Sequence, residues 1–166
     1  MDEQLRIILI IIVSVSIFGL LIFVFVKNYI KNKINYYLNI KNNIHHKLTC
    51  HCNKIEIDIM LINGLNNLYR CNCSMCKRKG SITAVIPKNN LKIIKGENHI
   101  KFYQFNTNVA KHYFCEICGI NTHSQRRSDP NTYGINVGCL DGISPQELFE
   151  LNVRVNDGQN HIKDRK

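Results

Sequence analysis

Eight cysteines, most of them in tight groups, are the residues of this 166-residue chain best suited to chemistry. Seven fall in three groups: Cys50 and Cys52 in CHC, Cys71, Cys73 and Cys76 in CNCSMC, and Cys115 and Cys118 in CEIC. Cys139 stands apart. Cysteines one or two residues apart rarely bridge each other, yet their thiolates converge readily on one metal ion. The first and third groups together supply four sulfurs, a complete tetrahedral shell for zinc. The middle group supplies three and leaves a coordination position open. Closed sites hold structure, whereas open ones bind and polarise a substrate. The spacing alone leaves other arrangements available. CHC could pair with part of CNCSMC, Cys139 could complete the middle group so that both sites are structural, or the thiols could hold an iron–sulfur cluster, whose usual spacings differ.

In order along the chain, CHC, YRCNCSMCKRKG, HYFCEICG and NVGCLDG resemble the glutathione-dependent formaldehyde-activating family, which includes the centromere protein V-like proteins. The resemblance runs from about Lys47 to Gly158. It implies a mostly β, Mss-four-like zinc-binding fold with two zinc ions. The structural zinc would fall on Cys50, Cys52, Cys115 and Cys118, and a catalytic-type zinc on Cys71, Cys73 and Cys76. It further implies carbon–sulfur lyase chemistry on a glutathione adduct, although some members serve non-enzymatic roles. The family usually has Gly after the first CxC, and this chain has Asn53, which tolerates the same left-handed backbone.

On that basis Cys71, Cys73 and Cys76 would hold a zinc whose fourth position takes a thiol substrate and keeps it as thiolate. Glutathione brings two carboxylates. Lys77, Arg78 and Lys79 follow the middle group and Arg126 and Arg127 lie near the third, either as carboxylate partners or as ordinary solvated surface. His51 reads as an exposed loop residue or a support for its neighbouring ligands. His112 reads as an acid–base group, a hydrogen-bond partner of a thiolate or a packed histidine. Cys139 reads as a buried small hydrophobe. No Ser/His/Asp set and no phosphate loop stands out.

Short strands must position these groups. KIEIDIMLI (54–62) opens with period-two alternation that puts Ile55, Ile57 and Ile59 on one face. Further strands are predicted at 81–87, 91–95, 100–105, 110–114, 133–140 and 150–155. Only PQELFEL (145–151) predicts a helix in this region, with Ser144 as its N-cap.

Residues 7–26 carry no charge and are long enough, at about 1.5 Å per residue, to cross the roughly 30 Å core of a bilayer as one helix. The preceding MDEQLR lacks the basic start of a secretory signal peptide. The division expected is therefore an N-terminal flank (1–6), a transmembrane helix (7–26), a basic linker (27–46), the zinc domain (47–158) and a tail (159–166). The linker, which includes His45 and His46, reads as weak helix or tether. After the helix, Lys27, Lys31, Lys33, Lys41 and Lys47 come before the next acid, Glu56, which predicts the zinc domain on the cytosolic side, where thiols stay reduced. The net charge of +10 shrinks to +7 once seven thiolates subtract seven and two zinc ions add four, which argues against a nucleic-acid partner. Two functions compete: a membrane-tethered enzyme acting on a small thiol adduct, and a non-catalytic zinc-stabilised adaptor for a protein partner.

Overall fold

The computed structural model describes residues 3–42 and 45–160; the start of the N-terminal flank (1–2) and the tail from 161 onward lie outside the described residues. The chain divides into a helical unit, Met1–Asn42, and a β unit, Asn43–Lys166.

Helix α1 spans Glu3–Asn42, 40 residues or about 60 Å, twice the apolar thickness of a bilayer. Of the two readings of the linker, the helical one holds as far as Asn42. Within the described side chains the stretch long and apolar enough to cross a membrane is Ile12–Ile34, later than the expected 7–26, because side chains 5–11 lie outside the description. The Ser16 hydroxyl inside that stretch donates back to the Ile12 carbonyl at 2.8 Å, so its polar group is satisfied within the helix.

The β unit holds two sheets. In the smaller, β1 (His45–Thr49), β2 (Glu56–Met60) and β5 (Leu91–Lys95) pair antiparallel in the order β1-β2-β5. The seven-stranded sheet has the order β10-β3-β4-β9-β8-β7-β6. Its strands are β3 (Tyr69–Cys71), β4 (Thr83–Pro87), β6 (Ile100–Tyr103), β7 (Lys111–Cys115), β8 (Asn121–Gln125), β9 (Thr132–Asn136) and β10 (Arg154–Asn156). All neighbours are antiparallel except β10 on β3. Two short helices complete the unit, α2 (Ser74–Lys79) and α3 (Pro145–Glu150). The Ser144 cap of α3 forms a reciprocal box with Glu147.

The alternation in β2 does what its period requires: Ile57 and Ile59 are fully buried while Glu56, Asp58 and Met60 are half-buried. They join Leu48, Ile55, Leu68, Ile86, Ile135 and Val137 in one core. Each such side chain contributes roughly 1.5–3 kcal/mol. The sequence reading missed β1, β3, β8 and α2. His45 and His46 belong to β1 rather than to the linker. β8, NTHSQ, is polar yet buries Thr122 and His123.

His123 is accommodated by matched contacts. Its Nδ1 meets the Thr122 hydroxyl at 2.9 Å, its ring stacks on Tyr113 at 4.4 Å and meets the edge of Tyr133 at 5.2 Å. Burial pushes its pKa down to about 4. The folded state therefore refuses a proton that the unfolded chain accepts near 6.5, so the contribution is complete above 6.5 and is lost as pH falls toward 4. Between pH 7 and pH 5 this amounts to about 2 kcal/mol. Urea unfolding of His123→Gln should show an acid loss smaller than wild type by that amount; equal losses would remove His123 from the account.

Asn53 adopts φ +57 directly after CHC, as Gly119 adopts φ +73 directly after CEIC. An L-residue with a β-branched side chain is strained there. Asn53→Gly should leave the urea midpoint nearly unchanged, whereas Asn53→Val should lower stability by about 1–2 kcal/mol.

Candidate metal centres and cavity

The CHC turn joins β1 to β2, and the CEIC turn joins β7 to β8. Each closes on itself through backbone hydrogen bonds, Asn53 N–H to Cys50 O at 3.0 Å and Gly119 N–H to Cys115 O at 2.8 Å. The two turns come from different sheets and bring Cys50, Cys52, Cys115 and Cys118 together, with all four sulfurs within 4.8 Å of one another. The Cys50–Cys52 and Cys52–Cys115 sulfurs stand 3.6 and 3.7 Å apart. A tetrahedron of sulfurs on 2.3 Å metal bonds has edges of about 3.8 Å, so this set fits a closed thiolate site. The Ile55 amide points at Cys50 Sγ at 3.3 Å, the kind of donor that supports a thiolate. Cys139 belongs to neither sulfur group. It is buried, with Sγ 3.6 Å from the Asn121 carbonyl, and burial followed by the charges of Cys50 and Cys118 pushes its pKa up to about 12. It packs as a neutral thiol.

Cys71, Cys73 and Cys76 also converge within 4.8 Å. Cys71 ends β3, Cys73 caps α2, and Cys76 lies one turn into it. The Cys73 sulfur accepts from the Cys76 amide at 3.4 Å. Hydrogen bonds from Cys71 and Cys76 lower the pKa of Cys73, while those with Cys71 and Cys73 raise that of Cys76, so as thiols the three compete for charge that a cation would relieve. Three sulfurs so placed can hold a metal ion and leave room for a further ligand.

That room exists. A cavity of about 430 Å³ is lined by all three sulfur residues and by none of the other four. Its volume falls in the range of small-molecule sites, roughly 300–1,000 Å³. Lys79, His112, Arg126 and Arg127 line it, and no aspartate or glutamate does among the described residues. Arg126 is braced by Thr132 Oγ1 at 3.2 Å and reaches the Tyr69 hydroxyl. Of the basic run after the middle group, Lys77 and Arg78 are exposed and only Lys79 turns inward. His51 is exposed on its turn.

One wall escaped the sequence reading. β10 runs parallel to β3 and carries Asn156–Asn160 across the middle group. The Asn72 side chain clasps this strap: Oδ1 accepts from the Gly158 and Gln159 amides at 2.7 and 3.0 Å, and Nδ2 donates to Asp157 at 3.1 Å. Gly158 approaches so closely that a Cβ there would stand 2.3 Å from Cys71 Sγ. The only signal in the sequence is the asparagine between two ligands.

Comparison with known proteins supplies a frame for this geometry. The family model described as "Glutathione-dependent formaldehyde-activating enzyme" matches residues 45–154. An Emericella nidulans protein carrying the same family name is 29% identical over 83 residues, 48% of this chain; the match covers 42% of that relative, less than half its length. The crystal structure of a Rhodobacter sphaeroides protein superposes with a TM-score of 0.62 at 44% identity, covering 66% of this chain and 99% of the other. With well over half its length matched, and with all seven clustered cysteines inside the match, the chain belongs to the glutathione-dependent formaldehyde-activating enzyme family.

Proposed function

We propose that the β unit is a zinc-dependent carbon–sulfur lyase-type enzyme that makes or breaks a thiol–aldehyde adduct of glutathione type, tethered to a membrane by α1. One observation carries this reading. The three-sulfur group opens onto the cavity, whereas the four-sulfur group stays outside it. The family match and the shared name of the Emericella nidulans relative support the substrate class.

Zinc on Cys71, Cys73 and Cys76 would supply a site at which a substrate thiol loses its proton and is held as thiolate. The chain supplies the rest. Arg126 and Arg127 offer guanidinium groups to the two carboxylates of a glutathione-like tripeptide, with Arg126 held in place by Thr132. Lys79 adds a third positive charge, and the absence of acids from the described lining makes the whole cavity complementary to an anion. Phe105, stacked on His112, adds an apolar wall to the cavity. Addition of the thiol to formaldehyde forms the carbon–sulfur bond from a sulfur lone pair and sends the carbonyl π pair to oxygen. That oxygen takes up the proton which the thiol released. The reverse sequence releases formaldehyde.

Tethering rests on the apolar stretch Ile12–Ile34 and on the lysines that follow the uncharged run, which favour the β unit on the cytosolic side.

Metal analysis of the full chain in detergent should give two zinc per chain. Cys73→Ser should lose one and keep the fold, whereas Cys50→Ser should lower stability by several kcal/mol because it opens the structural site. Loss of free thiol from glutathione and formaldehyde should accelerate over buffer with wild type and not with Cys73→Ser. Arg126→Met should raise the KM for glutathione about tenfold or more, the worth of a charge-assisted hydrogen bond. No acceleration with the two-zinc protein would end the enzymatic reading.

A further inference from the structure

The inward-turned Lys79 is satisfied in an unusual way. Its ammonium donates to His112 Nδ1 at 2.9 Å, Asn121 Oδ1 at 3.3 Å and Ser124 Oγ at 3.3 Å. Its three protons are thereby matched to three neutral acceptors, and no carboxylate is among them. A half-buried cation with only neutral partners is costly unless an anion completes the site. Burial pushes its pKa down and the charges of Cys76, Cys73 and Cys71 oppose that shift, while its chain position, one turn after Cys76 on α2, keeps it at the sulfur end of the cavity.

The same contact fixes His112. An ammonium has no lone pair, so Nδ1 must accept, and the ring is neutral with its proton on Nε2. Ser124 Oγ, 3.2 Å from Nδ1, reinforces that side, and Phe105 stacks on the ring at 5.8 Å and 19°. Nε2 finds no partner among the described residues, and it is not among the buried polar atoms left unsatisfied. It therefore opens onto the cavity that His112 lines. Burial and the charge of Lys79 hold the His112 pKa down to about 4, so the ring stays a neutral donor at physiological pH.

We propose that His112, positioned by Lys79 as a neutral Nε2–H donor, binds the oxygen carried close to the substrate sulfur. This inference rests on the reading of the cavity as a thiol-adduct site and adds a residue to it. His112 touches the oxygen on which charge develops as the carbonyl π pair arrives, or from which it departs in the reverse direction. Lys79 acts through His112, by fixing the tautomer, and through its own charge. The arginines on the β8–β9 side are left to the remote carboxylates.

Two small thiols of the same shape test this: 2-mercaptoethanol and propane-1-thiol, which differ by a hydroxyl against a methyl. Each is titrated into the cobalt-loaded full chain in detergent, and binding is read from the thiolate-to-cobalt charge-transfer band. Wild type should prefer 2-mercaptoethanol about fivefold, the worth of one neutral hydrogen bond. His112→Phe keeps an aromatic ring against Phe105 and should abolish the preference while leaving propane-1-thiol affinity unchanged. His112→Gln restores an N–H donor and should recover the preference, and Lys79→Met should reduce it. Equal affinities in wild type, or a His112→Phe variant that weakens both thiols alike, would overturn the donor role and leave the thiol site standing. A wild-type protein that binds neither thiol would overturn both.

Discussion

Four sulfurs drawn from two hairpin turns are the constraint on which the rest of this domain depends. The turns after β1 and β7 belong to different sheets, and they bring Cys50, Cys52, Cys115 and Cys118 together. A closed thiolate site there would fix the three-stranded sheet against the seven-stranded one. A metal held there would convert its binding affinity into folding free energy for this small domain. Its geometry demands tight turns, and the left-handed Asn53 and Gly119 supply them. The other sulfur group sits apart from those turns, on β3 and α2. That division lets one set of cysteines be enclosed and the other face a cavity.

The cavity is organised by charge. Its cations are Lys79, Arg126 and Arg127, and neutral groups hold the first two: His112, Asn121 and Ser124 the lysine, Thr132 and Tyr69 the first arginine. Neutral partners orient a cation without cancelling its field, which stays available to whatever enters. A carboxylate partner would have fixed the same side chains equally well and consumed the attraction.

The sulfur clusters were legible in the sequence because metal geometry acts over one or two residues: CHC, CNCSMC and CEIC announce themselves whatever surrounds them, and the structure gathers them into two groups. The strands with strict alternation or β-branched runs, such as β2 and β4, were readable for a similar local reason. β8 was not, because its buried residues are a threonine and a histidine that hydrogen-bond each other, the histidine ring packing against aromatic rings from β7 and β9. β3 and α2 are too short to show a period, and they exist to hold three cysteines. Lys79 illustrates the same limit at the site. In a run of three basic residues nothing local says which one faces inward; that depends on the turn of α2 and on β7 and β8 meeting it.

Asn156–Asn160 follows the span matched by the family model, yet it forms part of the chamber and leaves no space for even a methyl group between Gly158 and Cys71. Trimming by a protease just after β10 would thus unroof one side of the sulfur triad while sparing all three of its cysteines. Relatives that differ only in this segment can then share the same chemistry and differ in which molecules gain admission.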